Sequence, residues 1–182
     1  MLIAITGASG IDLAVKLIEK LKENRIQIEL IISKLAQHLI EIESKYDIGY
    51  IEKLADKIYD VDDLTAEPSS GSYFIDTMVI IPCSMKTLAA IANGYADNLI
   101  TRAADVIIKE KRRLLLTVRE SPFSAIHLEN MLKLARLGVI IAPPIPSYYY
   151  NPKSIEDLNN HIVGRIMDQL GIKSDIKRWG TV

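Results

Sequence analysis

The sequence predicts an α/β protein built on a doubly wound parallel sheet, as a single domain over residues 1–182. Three observations carry this. Short β-type runs alternate with helical patterns along the whole chain. Most of the runs are apolar throughout, as strands covered on both faces are. Small or polar residues suited to a turn into a helix follow the runs. With 22 Lys and Arg, 23 Asp and Glu and 49% hydrophobic residues, the chain is globular and long enough for a sizeable core.

Residues 2–6 (LIAIT) form the first expected strand, followed by Gly7-Ala8-Ser9-Gly10. A helix with the stripe Ile11, Ala14, Leu17, Ile18 and Leu21 then runs to a turn at Asn24. Residues 26–32 (IQIELII) form the second strand, after which Ser33-Lys34 open a helix carrying Glu41 and Glu43. Residues 57–61 (KIYDV) make a shorter strand, and residues 62–73 (DDLTAEPSSGSY) a long polar loop of a kind that often carries function. Residues 78–82 (MVIIP) run into Cys83-Ser84-Met85-Lys86-Thr87 and a helix with Leu88, Ile91 and Ala92, stopped by Gly94. Ala103, Ile107 and Ile108 mark the next helix, and residues 114–118 (LLLTV) the next strand. Ile126, Met131, Leu134 and Ala135 lead to Gly138, placed just past a helix end. After the strand at 139–142 (VIIA), Pro152, Ser154 and Asp157 signal a capped helix that runs through Ile155, Leu158, Ile162, Ile166 and Leu170 to Gly171.

A net charge of −1 speaks against a nucleic-acid clamp, and no apolar run approaches the roughly 20 residues that span a bilayer. The opening MLIAITGASG has no basic segment or cleavage site for export, so the expected location is cytoplasmic. Cys83 is the single cysteine, which excludes an internal disulfide and a cysteine-based zinc site, and it reads as a buried inert thiol. His38, His127 and His161 are scattered without metal-ligand spacing, and none is assigned to catalysis. Twenty-nine Ile and 20 Leu beside only 6% aromatics leave aliphatic surface to cover, which favours an oligomer.

In open α/β sheets, ligands bind outside the carboxyl ends of the strands. Gly7-Ala8-Ser9-Gly10 would let a phosphate approach backbone N–H groups at the positive end of a helix dipole, or would simply make a tight turn. Ser33 suits a helix cap. Ser84, Thr87 and Lys86 bring hydroxyls and a positive charge, the ingredients of an anion site, and Arg119, Glu120 and Ser121 follow the fifth strand. Pro143, Pro144 and Pro146 lead into Tyr148, Tyr149 and Tyr150, which read as a rigid, exposed aromatic wall. Together these strand ends describe one crevice with anion donors and a flat aromatic surface, fitting a nucleotide-like or flavin phosphate.

Read together, the same stretches resemble the flavin prenyltransferase family, the UbiX/Pad1-type flavoproteins. The matching pieces are GASG from Gly7, SKLAQ from Ser33, SSGS from Ser69, PCSMKTLAAIANG from Pro82 and NLITRAADVIIKEKR from Asn98. VRESPFSAIHLENML from Val118, the stretch Tyr148 to Pro152, GR at Gly164 and RWG at Arg178 complete a match over nearly the whole chain. The resemblance implies a Rossmann-like/flavodoxin-like sheet and a metal-independent enzyme. Its reaction would move a dimethylallyl group from dimethylallyl monophosphate to N5 and C6 of reduced FMN. The prenylated FMN would serve a partner UbiD-type decarboxylase, as in ubiquinone biosynthesis or aromatic acid decarboxylation, and the assembly would be a homododecamer.

By the same resemblance, Gly7, Ala8, Ser9, Ser33, Ser84, Met85, Lys86, Thr87 and Arg119 would hold FMN. Arg102, Lys109, Tyr149 and Arg165 would surround the prenyl phosphate, some supplied by neighbouring subunits. Glu43 and Glu120 would be the catalytic carboxylates that handle protons. Trp179 and a tail at about 172–182 would close the site or pack on a neighbouring subunit. The aspartate-rich motif of metal-dependent prenyl transfer is missing, since Ala66 stands where an aspartate would complete Asp62-Asp63. A monophosphate gripped by Arg and Lys has charge-assisted donors in place of a metal. Ala14 replaces a glycine usual in the family, and its extra methyl is expected to be tolerated. Two rival readings are a flavin-dependent decarboxylase acting directly on an aromatic acid or a cysteine-type substrate, and a non-enzymatic FMN carrier. The first group typically has PASANT where this chain has PCSMKT, and the second has no use for Arg102, Lys109 and Arg165.

Overall fold

The computed structural model describes residues 1–180. Within them, β1 (Leu2–Ile5), β2 (Glu29–Ile32), β3 (Lys57–Tyr59), β4 (Thr77–Cys83), β5 (Arg113–Val118) and β6 (Ile140–Ile141) form one sheet. Every pairing is parallel, in the order β3-β2-β1-β4-β5-β6. Of the two common doubly wound orders, this is the Rossmann one, and its direction reverses between β1 and β4. The helices are α1 (Ile11–Glu23), α2 (Lys34–Glu43), α3 (Ile48–Leu54), α4 (Met85–Ala92), α5 (Leu99–Lys109), α6 (Ala125–Arg136) and α7 (Ile155–Leu170).

The uniformly apolar strands follow from this layering. Successive strand residues point to opposite faces. Leu2 and Ala4 of β1 join a core with Leu88, Ile91, Leu99 and Ala103 from α4 and α5. Ile3 and Ile5 join the opposite core, with Leu17 and Ile18 of α1 and Val163 and Ile166 of α7. Both faces are dry, so neither set of positions tolerates a polar residue. Ala14 is fully buried in the second core, so its methyl is accommodated there.

The local signals hold where they are strong. Ser154 and Asp157 form the capping box of α7, which ends at Gly171 with φ 75°. Gly138, just past α6, has φ 88°. Three details differ from expectation. β2 begins at Glu29, whose carboxylate accepts from the hydroxyls of Tyr59 (2.6 Å) and Tyr73 (3.0 Å), tying the polar loop to the sheet. β6 keeps only two paired residues. α3 has no counterpart in the sequence reading, because its stripe of Ile48, Ile51 and Leu54 spans only seven residues, too short a run for a helical period to stand out.

Past α7 the chain folds back along that helix. A Cβ on Gly164 would fall 2.3 Å from Cγ2 of Ile176, so the tail docks where α7 lacks a side chain. Asp168 receives a two-pronged contact from Arg178 (2.7 and 2.9 Å), the Ser174 hydroxyl (2.9 Å) and Arg165 (2.9 Å). Residues 181 and 182 of the predicted tail lie outside the described residues.

The Arg178 guanidinium is the main reason that the Asp168 carboxyl is pushed down to about 2; burial works against it, and Ser174 and Arg165 add to the lowering. A folded-state value below the unfolded one means stability that is fully present above about pH 4 and lost as pH falls toward 2. Asp168 is only 16% exposed, so the shift corresponds to roughly 2 kcal/mol. Asp168→Asn should therefore lower unfolding stability by about that amount at pH 7. The gap to the wild type should narrow between pH 4 and 3 in thermal melts; a gap that stays constant down to pH 3 would contradict the assignment.

Candidate active site

At the switch point, the end of β1 is fastened to the end of β4 by one side chain. Thr6, 1% exposed, donates its hydroxyl proton to the Pro82 carbonyl (2.8 Å) and accepts from the Ser84 N–H (2.9 Å). Its own N–H also reaches the Pro82 carbonyl at 3.3 Å. The Gly7 turn is thereby held beside the first turn of α4.

A cavity of about 560 Å³ opens at this joint. Gly7, Ser33, Ser84, Met85, Lys86 and Thr87, all predicted to hold FMN, line it together with Glu120. Ser84 caps α4, accepting from the Thr87 N–H (3.3 Å) and lying 3.0 Å from the Thr87 hydroxyl. Ser33 caps α2 through the Ala36 N–H (3.2 Å), so its structural role and its place at the cavity coexist. The positive end of α4, with Lys86 beside it, suits an anionic group. Gly7 is needed for close approach, because a Cβ there would lie 2.5 Å from Cδ2 and 2.6 Å from Cγ of Leu35.

Sequence reasoning missed Thr6, Leu35, Val61, Asp62, Asn98 and Thr101, which line the same cavity. Asn98 and Thr101 form the capping box of α5, a local pattern that could have located a helix start at the crevice. Thr6 reads as the last residue of a strand, and no local signal gives its partners 76 and 78 residues away.

Glu43 lies at the end of α2, and its Oε1 accepts from the N–H groups of Gly10 (2.7 Å) and Ile11 (3.0 Å) at the start of α1. Gly10, with φ 109°, is the N-cap of α1. The chain's own carboxylate thus sits at the helix terminus that the sequence offered to a phosphate. Burial pushes the Glu43 carboxyl up, but the Ile11 N–H, the Ser9 hydroxyl, the Gly10 N–H and Arg119 together hold it below the usual range. It is therefore ionised at neutral pH. Glu120 accepts from the Ser121 N–H (2.9 Å) at the cavity wall. Cys83 is fully buried and its thiol is pushed up to about 12 by burial, so it is inert as a nucleophile.

The predicted phosphate-binding residues lie elsewhere in the chain. Arg102 donates to the Ser69 carbonyl (3.0 Å) and pairs with Asp105 (2.9 Å), and Lys109 pairs with Glu110. Arg165 pairs with Asp168. Tyr149 meets the Trp179 ring edge-on at 5.4 Å. None of these five lines the cavity. The tyrosine wall is also different from expectation. Tyr148 is 71% exposed, but Tyr150 is 8% exposed and donates its hydroxyl to the Asp157 carbonyl (3.0 Å), drawn inward by the first turn of α7. Among the described residues, no group of three His, Cys, Asp or Glu side chains is placed to hold a metal ion.

A Rossmann-ordered sheet with a polar cavity at its switch point, lined by Lys34 and Lys86 and by Asp62, Asp97 and Glu120, has the layout of a nucleotide- or flavin-binding protein. The chain belongs to the flavoprotein family, whose model matches residues 1–167, and within it to the flavin prenyltransferases of the UbiX/PAD1 type. It is 50% identical over 183 residues to the flavin prenyltransferase UbiX of Methanocaldococcus jannaschii, covering 100% of this chain and 99% of that one. The crystal structure of AnUbiX (PadA1) in complex with FMN and dimethylallyl pyrophosphate superposes with a TM-score of 0.96 at 44% identity, over 98% of this chain and 96% of the other. A dodecameric FMN-dependent UbiX-like decarboxylase from Escherichia coli O157:H7 superposes with a TM-score of 0.94 at 45% identity, over 98% and 99%.

The Thr6 joint is open to direct measurement. Thr6→Val leaves the half-buried Ser84 N–H without its Thr6 acceptor and should lower unfolding stability by about 1 kcal/mol in urea titrations. Thr6→Ser should recover most of that, and a Thr6→Val protein as stable as the wild type would show that the joint contributes nothing.

Proposed function

We propose that this protein is a flavin prenyltransferase that transfers a dimethylallyl group from dimethylallyl monophosphate to N5 and C6 of reduced FMN. The observation that carries the reading is the switch-point cavity, lined by the Gly7 turn, Ser33 and the Ser84–Thr87 turn in a chain that matches UbiX-type relatives from end to end. A volume of about 560 Å³ is within the range of small-ligand and cofactor sites. The glycine approach at Gly7, the hydroxyls of Ser33, Ser84 and Thr87, and the positive start of α4 with Lys86 fit a flavin phosphate. Met85, Ala8, Ser9 and Arg119 complete the set assigned to FMN.

Reduced FMN, when bound, supplies the nucleophilic ring positions. The protein's task is to hold the acceptor, assist departure of phosphate and accept the proton released from C6. Glu43, kept ionised by its donors, and Glu120, at the cavity wall, are assigned to proton handling. Arg102, Lys109, Arg165 and Tyr149 are assigned to the leaving phosphate, where charge-assisted hydrogen bonds do the work of a metal. These four stand apart from the cavity within one chain, so the complete site needs residues from further copies, in keeping with a homododecamer. Trp179 and the docked tail would pack over the site or on a neighbouring subunit. The product would pass to a UbiD-type decarboxylase. Among the described residues no helix is long and apolar enough to cross a membrane, which accords with a cytoplasmic enzyme.

Anaerobic incubation with reduced FMN and dimethylallyl monophosphate should yield flavin heavier by one C5H8 unit in mass spectrometry, with or without a chelator. Unchanged flavin from folded, FMN-loaded protein would overturn the reading, and CO2 release from an aromatic acid by the protein alone would favour direct decarboxylation. Gly7→Ala should weaken FMN binding about tenfold through displacement of Leu35, a loss within the usual cost of overpacking. Quenching of flavin fluorescence would measure it.

A further inference from the structure

His161 belongs to none of the groups assigned so far. It lies on α7, is 4% exposed, and is the only imidazole, carboxylate or cationic side chain buried among the described residues. Its neighbours Ile162, Val163, Ile166 and Met167 are apolar and buried. A polar ring in such surroundings is costly unless it is hydrogen-bonded.

The partners of His161 fix both its plane and its reach. The ring stacks on Tyr150, with centroids 4.5 Å apart and planes 13° apart, and Tyr149 meets it edge-on at 5.6 Å. Tyr150 is itself held by the Asp157 carbonyl in the capped first turn of α7. Nε2 of His161 lies 2.9 Å from the Tyr149 hydroxyl. That hydroxyl also lies 3.2 Å from the Lys177 carbonyl of the tail.

One tautomer satisfies both contacts of the Tyr149 hydroxyl with its single proton. The phenol has one proton, and a carbonyl can only accept, so the hydroxyl donates to Lys177. The contact with Nε2 is satisfied when the imidazole donates and the phenolic oxygen accepts. The opposite arrangement would spend the phenolic proton on the imidazole and leave Tyr149 only lone pairs, which repel a phosphate. Burial holds the imidazole's proton affinity below its ordinary value despite the Lys177 carbonyl, with Arg165 and Arg178 acting in the same direction as burial, so the ring is neutral at pH 7.

We propose that His161 is a positioning residue for Tyr149: its Nε2–H donates to the phenolic oxygen and keeps the hydroxyl a donor, able to turn from the Lys177 carbonyl to a phosphate oxygen of the prenyl substrate. This rests on the assignment of Tyr149 to the prenyl phosphate under Proposed function.

The test measures Kd for dimethylallyl monophosphate by calorimetry on the FMN-loaded protein, together with KM, kcat and FMN affinity. His161→Phe keeps a ring for stacking but has no N–H. It should raise Kd and KM for the prenyl phosphate roughly two- to tenfold, the worth of one hydrogen bond, with a much smaller change in kcat and unchanged FMN affinity. His161→Gln, which keeps an N–H donor, should recover most of the loss. In a Tyr149→Phe background, His161→Phe should add nothing. The proposal fails if Tyr149→Phe weakens prenyl phosphate binding while His161→Phe does not, if the two losses add, or if Gln is as poor as Phe. Normal binding by Tyr149→Phe itself would also remove it, and would place the fault in the assignment of Tyr149. Should His161→Phe not fold, His161→Met against His161→Gln supplies the same contrast between a side chain without a donor and one with it.

Discussion

One hydroxyl sets the geometry of the crevice. Thr6 bridges the Pro82 carbonyl and the Ser84 N–H, and so fastens the two strands between which the sheet order reverses. A parallel doubly wound sheet leaves a gap at that reversal, because the connections from adjacent strands depart to opposite faces. The width of the gap is decided by how the two departing turns are held. Here each is pinned to the other through a buried oxygen used as both donor and acceptor, with the Thr6 N–H as a second link to the Pro82 carbonyl, and a side chain without an acceptor would leave the Ser84 N–H without this partner. The glycine at position 7 and the serine cap of α4 have their fixed relation to each other because of it.

The pairing of charges elsewhere follows a different logic. Arg102 and Lys109 lie beside carboxylates three residues and one residue away. Such partly exposed pairs contribute about 0 to 1 kcal/mol, little enough that a phosphate could replace the carboxylate without unfolding anything. Asp168 is the exception, since Arg178, Ser174 and Arg165 converge on it and the tail depends on that convergence. Weak local pairs keep cations available, whereas the one strong cluster fixes chain to chain.

What could be read from the sequence divides along the same line between local and distant contacts. The strands and α7 were legible because their signals are contiguous: unbroken apolar runs in β1 and β4, and Ser154, Asp157 and Gly171 at the ends of α7. Ser33 and Ser84 could be placed at strand ends for the same reason. α3 escaped because Ile48, Ile51 and Leu54 span less than two turns, too few to establish a period. Glu43 was placed among the functional residues by resemblance, but its contact with Gly10 and Ile11 spans 33 and 32 residues and has no local signature. The inward turn of Tyr150 was hidden likewise, since it depends on a carbonyl and an imidazole on the following helix. Composition gave a balanced charge but not its distribution, which depends on which side chains the fold brings together.

The carboxylate at the start of α1 has a consequence for the crevice as a whole. Two helices begin just beyond the adjacent ends of β1 and β4, and each presents a positive terminus. One of them is already neutralised by Glu43, while the other has Lys86 beside it. The two ends of the crevice are therefore unlike: at one the helix start is already met by the chain's own carboxylate, and at the other the start of α4 lines the cavity beside Lys86, itself 4.0 Å from Asp97. An elongated molecule with an anionic group at one extremity can set that group against the start of α4, whereas the start of α1 already holds a carboxylate, so its two orientations in the crevice are not equivalent.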